Sequence, residues 1–244
     1  MLTLKDISKM LDHSTLQPYL TEDDIRKGCD VALHYDCATV CARPGDMRIV
    51  VPALRGSDVL PCTVIGFPHG AHRTDVKVFE AERALDDGCK ELDMVLNIGE
   101  MLSGNEGYVQ DEIARLARVC HDRDAILNVI LETCFLSDAQ KAAACRLSEL
   151  AGADFVKTST GYGSAGANVA DVRLMRRSVS SAVRVKASVG IRSLDAVLAY
   201  RAAGASRCGV SATVAIMQEA EKRAQAGTLT MDNVSDTVEG GGAY

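Results

Sequence analysis

Two lysines define the chemistry this chain could perform. Lys157 sits within Asp154-Phe155-Val156-Lys157-Thr158-Ser159-Thr160, and Lys186 within Arg184-Val185-Lys186-Ala187-Ser188-Val189-Gly190. Both runs read as strands: short, rich in β-branched residues, and left through glycine. Lysine is almost never buried unless something pairs with it or uses it. Each one alone could be an edge-strand ammonium in solvent, or one half of an ion pair with a carboxylate. Their recurrence in the same setting, one unit apart, suggests a third reading, in which one amine is kept neutral by the other.

That effect has a size. A free lysine titrates near 10.4, which leaves about one amine in a thousand nucleophilic at neutral pH. A second ammonium about 5.5 Å away, at an effective dielectric near 20, disfavours the charged form by roughly 3 kcal/mol. That is about two pKa units, before burial adds its own push. Such a pair makes a nucleophile of the kind Schiff-base chemistry requires. An acid completes the set: Glu91, Asp93, Val95 and Asn97 share one strand face. A carboxylate there is either a buried partner for a lysine or a carrier of protons. Asp12 and Glu132 are the other acids placed within or just beyond strands.

Three further features bear on binding. Small hydroxyls and glycines cluster at Thr160-Gly161, Ser188-Val189-Gly190 and Gly209-Val210-Ser211, after the last three strands. Barrels often bind phosphate with backbone N–H groups from such loops, although glycine after a strand is also ordinary turn chemistry. His69, His72 and Asp75 could be imagined as zinc ligands, but two histidines and a distant acid on a loop are not a specific signal. Gly161 to Gly166 matches the letters of a dinucleotide fingerprint, yet it comes in the sixth unit and no acidic residue ends the next strand.

The elements that must position these groups alternate from end to end. A short amphipathic helix is expected over residues 3–10, and Leu11–His13 forms a first short strand. Thr21 to Asp24 reads as a capping box opening a helix. Strands then follow at 37–42, 60–67, 91–97, 126–132, 154–160, 184–190 and 206–211, each followed by a helical pattern, with Thr74 expected to cap the long one that ends at Gly88. Eight strand–helix units without a break in composition predict an α/β fold with a parallel sheet buried on both faces. In about 220 residues that favours a closed (β/α)8 TIM barrel. The barrel is expected over residues 1–226 and a flexible C-terminal tail over 227–244, ending in Tyr244. Geometry lets that tyrosine return to the barrel mouth, because 17 extended residues span roughly 55 Å.

Composition excludes several other classes. A formal net charge of −6 argues against a general phosphate-backbone binder, and 4% aromatic residues leave no basic–aromatic stripe for nucleic acid. No apolar run is long enough for a membrane span, and the first residues lack a signal-peptide core. Nine cysteines without a Cys-x-x-Cys pair fit reduced, buried thiols in a cytoplasm; Cys37 and Cys41 make too weak a pair for a metal site.

At these residues the chain resembles the 2-deoxy-D-ribose-5-phosphate aldolases, class I enzymes with a (β/α)8 barrel. The resemblance runs through Leu11-Asp12-His13, Cys62 to Pro68, Glu91 to Val95, Val129 to Thr133, Asp154 to Gly161, Lys186-Ala187-Ser188, and Ser206-Arg207 with Gly209. It implies that Lys157 forms the imine, that Lys186 depresses its pKa, and that Asp93 relays protons with an ordered water. It also implies that Tyr244 assists proton transfer, and that Asp12, Thr160, Gly161, Gly190, Gly209 and Ser211 bind a phosphorylated sugar or aldehyde. No cofactor or metal is implied, no nucleic acid or membrane partner, and a homodimer is usual. Val189, Val210, Ala212 and Ser14-Thr15-Leu16 depart from the family pattern, which bears on phosphate preference. Two other readings stand beside this one: the same imine chemistry with a different acceptor, and a ligand-sensing barrel in which the trio is misaligned.

Overall fold

Strands that are apolar on both faces have nowhere to go except against one another, with helices covering the outside. The computed structural model, which describes residues 1–232 and Val234, shows this arrangement closed on itself. The strands are β1 (Leu11–Thr15), β2 (Thr39–Ala42), β3 (Leu60–Ile65), β4 (Glu91–Val95), β5 (Ile126–Ile130), β6 (Phe155–Lys157), β7 (Arg184–Ser188) and β8 (Arg207–Val210). Each pairs in parallel with the next, and β8 returns to β1, giving a closed eight-stranded barrel. The helices are α1 (Leu4–Ser8), α2 (Glu22–His34), α3 (Met47–Leu54), α4 (Thr74–Asp86), α5 (Ile98–Leu102) and α6 (Glu106–His121). They continue with α7 (Asp138–Leu150), α8 (Val169–Ser178), α9 (Leu194–Ala202) and α10 (Thr213–Gln225).

Local chemistry explains most of the boundaries. Thr21 and Asp24 form the expected reciprocal capping box at the start of α2, and Ser137 and Gln140 do the same for α7. On α6, Ile113, Leu116, Ala117 and Cys120 are buried as their spacing predicts. Thr74 does not cap α4. Arg73 holds that position without a side-chain bond, and the Thr74 hydroxyl instead contacts Tyr108 and Glu112. The reason lies beneath it, where Lys77 and Glu112 form a fully buried ion pair at 2.9 Å. Lys77 also donates to the Val95 carbonyl and Glu112 accepts from the Asn97 N–H, so the pair fastens the upper end of β4.

The β6 ladder is shorter than the run 154–160 suggested: it ends at Lys157, and the chain bends from Gly161 onward. At the other end of the barrel, the segment expected to leave as a tail from residue 227 is at first held. Leu229 is buried and its carbonyl accepts from the Leu2 N–H. Tyr244 lies outside the described residues. Among the described residues no helix is long and apolar enough to cross a membrane. All nine cysteines are free thiols.

Candidate active site

Strand register places the charges before any tertiary detail is needed. Lys157 on β6 lies opposite Lys186 on β7, which lies opposite Arg207 on β8; Asp93 on β4 lies opposite Asn128 on β5. Inward-facing residues of a closed barrel meet across its axis. Here that brings Asp12, Glu91, Asp93, Lys157, Lys186 and Arg207 into one cluster, all but Arg207 fully or nearly fully buried.

Asp93 is the hub. Its Oδ2 is 2.5 Å from Lys157 Nζ and 2.9 Å from Lys186 Nζ. The two amines therefore lie no more than about 5.4 Å apart and face the same compartment. Asp93 Oδ1 accepts from Asn128 Nδ2 at 2.6 Å, and the same amide group donates to Glu91 Oε1. Lys186 further meets Asp12 Oδ2 at 2.8 Å and Glu91 Oε1 at 3.4 Å. Arg207 closes the set, with Nε 2.9 Å from Asp12 and Nη2 2.8 Å from Glu91. Three carboxylates thus face three cations, which satisfies the rule that buried charges are paired.

This pairing changes the electrostatics expected from two lysines alone. Burial favours a neutral Lys157 amine and so does the Lys186 charge, but Asp93 outweighs both and raises its pKa. Burial acts the same way on Lys186, and Asp12, Asp93 and Glu91 together hold it well above the ordinary lysine value. Burial pushes Asp93 up, and the two lysines overrule it and hold the carboxyl below the usual range. The expectation that Lys186 keeps Lys157 neutral at rest is therefore corrected: a carboxylate between two ammonium groups stabilises both charges. A neutral amine at 157 requires that its proton first move to Asp93 or leave with solvent.

The cluster borders a narrow chamber. Its walls include Asp12, Lys157, Ser159, Thr160, Lys186 and Gly209. A second pocket, formed by residues 189–192 and 209–211, adjoins it through Val189 and Gly209. Gly190 and Ser211 belong to this second pocket, and Gly161 lines neither. Thr160 is tied down by Glu132, whose buried carboxylate accepts from its hydroxyl and lies 3.4 Å from its N–H. A Cβ at Gly209 would stand 3.0 Å from Ser188 Cβ, tighter than ordinary packing, so the strands approach closely here. Val189 is unusual: it adopts φ +77°, a conformation that β-branched residues rarely tolerate. Ala167 N–H donates to both the Ser188 and the Val189 carbonyls, at 3.0 and 3.3 Å, and holds it there.

Several residues of this arrangement escape sequence reasoning. Asn128 carries no charge to draw notice, Glu91 and Arg207 were legible only as parts of strands or motifs, and Arg192 lay outside every motif. The alternation of Glu91 with Asp93 was the available signal. Cys41 and Cys62, register partners on β2 and β3, converge with Asp93 on the one group of three ligand atoms close enough to hold a metal among the described residues. His69 and His72 join no such group among the described residues. A larger open groove, bordered by Thr3, Lys5, Lys9 and Arg201, lies at the opposite end of the barrel, away from the lysines.

Comparison with known proteins agrees with this geometry. Residues 7–219 match the model of the DeoC/LacD family aldolases. The chain is 44% identical over 239 residues to a deoxyribose-phosphate aldolase of Rhodopirellula baltica, covering 98% of this chain and 97% of that one. It is 48% identical over 217 residues to one from Thermococcus gammatolerans, covering 88% and 96%. Among solved structures, the tetrameric deoxyribose phosphate aldolase of Aeropyrum pernix superposes with a TM-score of 0.83 at 31% identity, over 90% of this chain and 92% of that one. With an intact barrel and a lysine-lined chamber at its mouth, the chain belongs to the DeoC/LacD family of aldolases.

Proposed function

We propose that this aldolase reversibly cleaves 2-deoxy-D-ribose 5-phosphate into acetaldehyde and D-glyceraldehyde 3-phosphate, a step in deoxynucleoside breakdown. One observation carries the reading: Asp93 Oδ2 sits between two buried lysine amines at the floor of a chamber.

In this reading Lys157 gives its proton to Asp93 and adds through Nζ to the C1 carbonyl. The resulting carbinolamine loses water to become a protonated imine. The imine then accepts the electron pair of the C2–C3 bond while the C3 hydroxyl gives up its proton, and glyceraldehyde 3-phosphate departs. Protonation of the enamine at C2 and hydrolysis release acetaldehyde and restore the amine. A protonated imine is itself the electron sink, so these steps call for neither metal nor cofactor. Asp93, working with an ordered water, is the proton relay, and Lys186 fixes the Asp93 carboxylate and opposes the charge on Lys157. Asp12 and Thr160 contact the sugar chain. Gly190, Gly209 and Ser211 receive the phosphate on backbone N–H groups, with Arg192 supplying the cation. Tyr244 assists proton transfer, as the family resemblance implies. A cytoplasmic homodimer or larger homo-oligomer completes the proposal.

The test is reductive trapping. Borohydride added with deoxyribose 5-phosphate should leave a covalent adduct on the Lys157 peptide, unaffected by EDTA; an unmodified peptide would overturn the reading. Val189 favours a variant of it with an altered acceptor, and comparing cleavage of phosphorylated and unphosphorylated deoxyribose separates the two.

A further inference from the structure

The chamber is lined, among the described residues, by one buried polar group with nothing to bind. Among the described residues, five buried side-chain atoms lack a hydrogen-bond partner: Asp12 Oδ2, Thr39 Oγ1, Asn128 Oδ1, Thr133 Oγ1 and Ser159 Oγ. Asp12 Oδ2 has a charge partner in Lys186, at 2.8 Å. Thr39, Asn128 and Thr133 do not border the chamber, whereas Ser159 does.

Its neighbours make the contrast sharper. Thr158 spends its hydroxyl on the scaffold, donating to the Ser188 carbonyl and accepting from the Ser188 N–H at 3.1 Å. Thr160 spends its own on Glu132. The Ser159 carbonyl is likewise committed, accepting from Ser188 Oγ at 3.1 Å, which fixes this residue in place. Only the hydroxyl of Ser159 is left over, in the middle of a run whose other hydroxyls are used. Ser159 also lines the same cavity as Lys157, two residues earlier, while Thr158 between them does not. A buried hydroxyl without a partner costs stability that alanine would not, and this one belongs to a residue that lines the cavity of Lys157, which points to a ligand.

We propose that Ser159 is a substrate-binding residue whose Oγ hydrogen-bonds the hydroxyl that stays on the acceptor aldehyde after cleavage. This rests on the imine reading above. The chain of a bound hydroxyaldehyde runs from Lys157 toward the pocket of Gly190 and Ser211, and that hydroxyl lies between the two ends. The ligand class is therefore a 2-hydroxyaldehyde phosphate rather than a simple aldehyde phosphate.

The experiment compares two acceptors in the synthetic direction, with acetaldehyde as donor: D-glyceraldehyde 3-phosphate and 3-phosphooxypropanal, which lacks the hydroxyl. Ser159→Ala should lower kcat/KM for glyceraldehyde 3-phosphate by about tenfold, the worth of a neutral hydrogen bond. It should leave the deoxy acceptor within about twofold, with Tm unchanged or raised. Ser159→Cys, which keeps the volume and offers only a weak donor, should fall between wild type and alanine on the hydroxylated acceptor. Wild-type kinetics in both variants would overturn the assignment. So would an equal loss on both acceptors, or a lowered Tm with a uniform loss. Acetaldehyde trapping on wild-type Lys157 is the control. If no adduct forms, the imine reading itself fails; if it forms and the acceptors are not discriminated, only the role of Ser159 fails.

Discussion

Replacing Asp93 with asparagine separates the charge on Lys157 from the chemistry it performs. Asp93 Oδ2 lies 2.5 Å from Lys157 Nζ, and Lys186 Nζ lies within about 5.4 Å of it. At an effective dielectric near 20, opposite charges about 2.5 Å apart attract by about 6–7 kcal/mol, and like charges about 5.4 Å apart repel by about 3 kcal/mol. The carboxylate therefore wins in the native protein, in agreement with the raised pKa of Lys157. In Asp93→Asn the attraction disappears while the repulsion and the burial remain. Lysine then loses its proton at lower pH. Even with relaxation of the site, the midpoint for imine formation should fall by about two pH units or more. The assay is the pH dependence of the initial rate of acetaldehyde trapping by cyanoborohydride, read by mass spectrometry on the Lys157 peptide. Turnover of deoxyribose 5-phosphate should meanwhile drop by about 100-fold or more, because a proton carrier has been removed. A trapping midpoint that stays put or rises would refute this account of the cluster.

Two further outcomes follow from other parts of the barrel. At φ +77°, Val189 inverts the usual ranking of small residues: Val189→Gly should be more stable than Val189→Ala by about 1 kcal/mol, because alanine keeps the left-handed penalty that glycine escapes. Urea titration of the two variants checks this. His13 is buried, its Nδ1 lies 2.9 Å from Thr213 Oγ1, and burial lowers its pKa to about 4. Its unfolded value is about 6.5, so below that pH the unfolded chain binds the extra proton. Stability is complete above about pH 6.5 and declines as pH falls toward 4, by about 3 kcal/mol in all. His13→Asn should lose that component of the slope between pH 7.5 and 5 in urea unfolding, and an unchanged slope would rule out His13 as its source.

How much of this was legible beforehand follows from the physics of each element. Periodicity and turn residues are local, so eight strand–helix units, the capping boxes at Thr21 and Ser137, and the buried face of α6 could all be read from the chain. The trio of Lys157, Lys186 and Asp93 could be singled out because charge inside an apolar run is locally anomalous, and the three do converge. What could not be read was the balance among them. Whether Lys186 or Asp93 controls the charge on Lys157 depends on ångström separations set by closure of the barrel, to which no local pattern responds. Thr74 shows the same limit on a small scale, since a residue of capping type was claimed by Glu112 from another helix. Asn128 and Ser159 were overlooked because uncharged polar residues in strands look like ordinary filler until their partners are seen.

The six-membered charge cluster also constrains how this catalyst can change. Within the set of Asp12, Glu91, Asp93, Lys157, Lys186 and Arg207, losing Asp93 strips Lys157 of its carboxylate, whereas loss of any other member leaves each remaining charge with a second partner. Drift is therefore most tightly bound at Asp93 and Lys157, where a change in one strands or unbalances the other. New acceptor preferences are consequently most accessible at the rim, at sites such as Val189, where a change disturbs shape and leaves the buried ledger of charge intact.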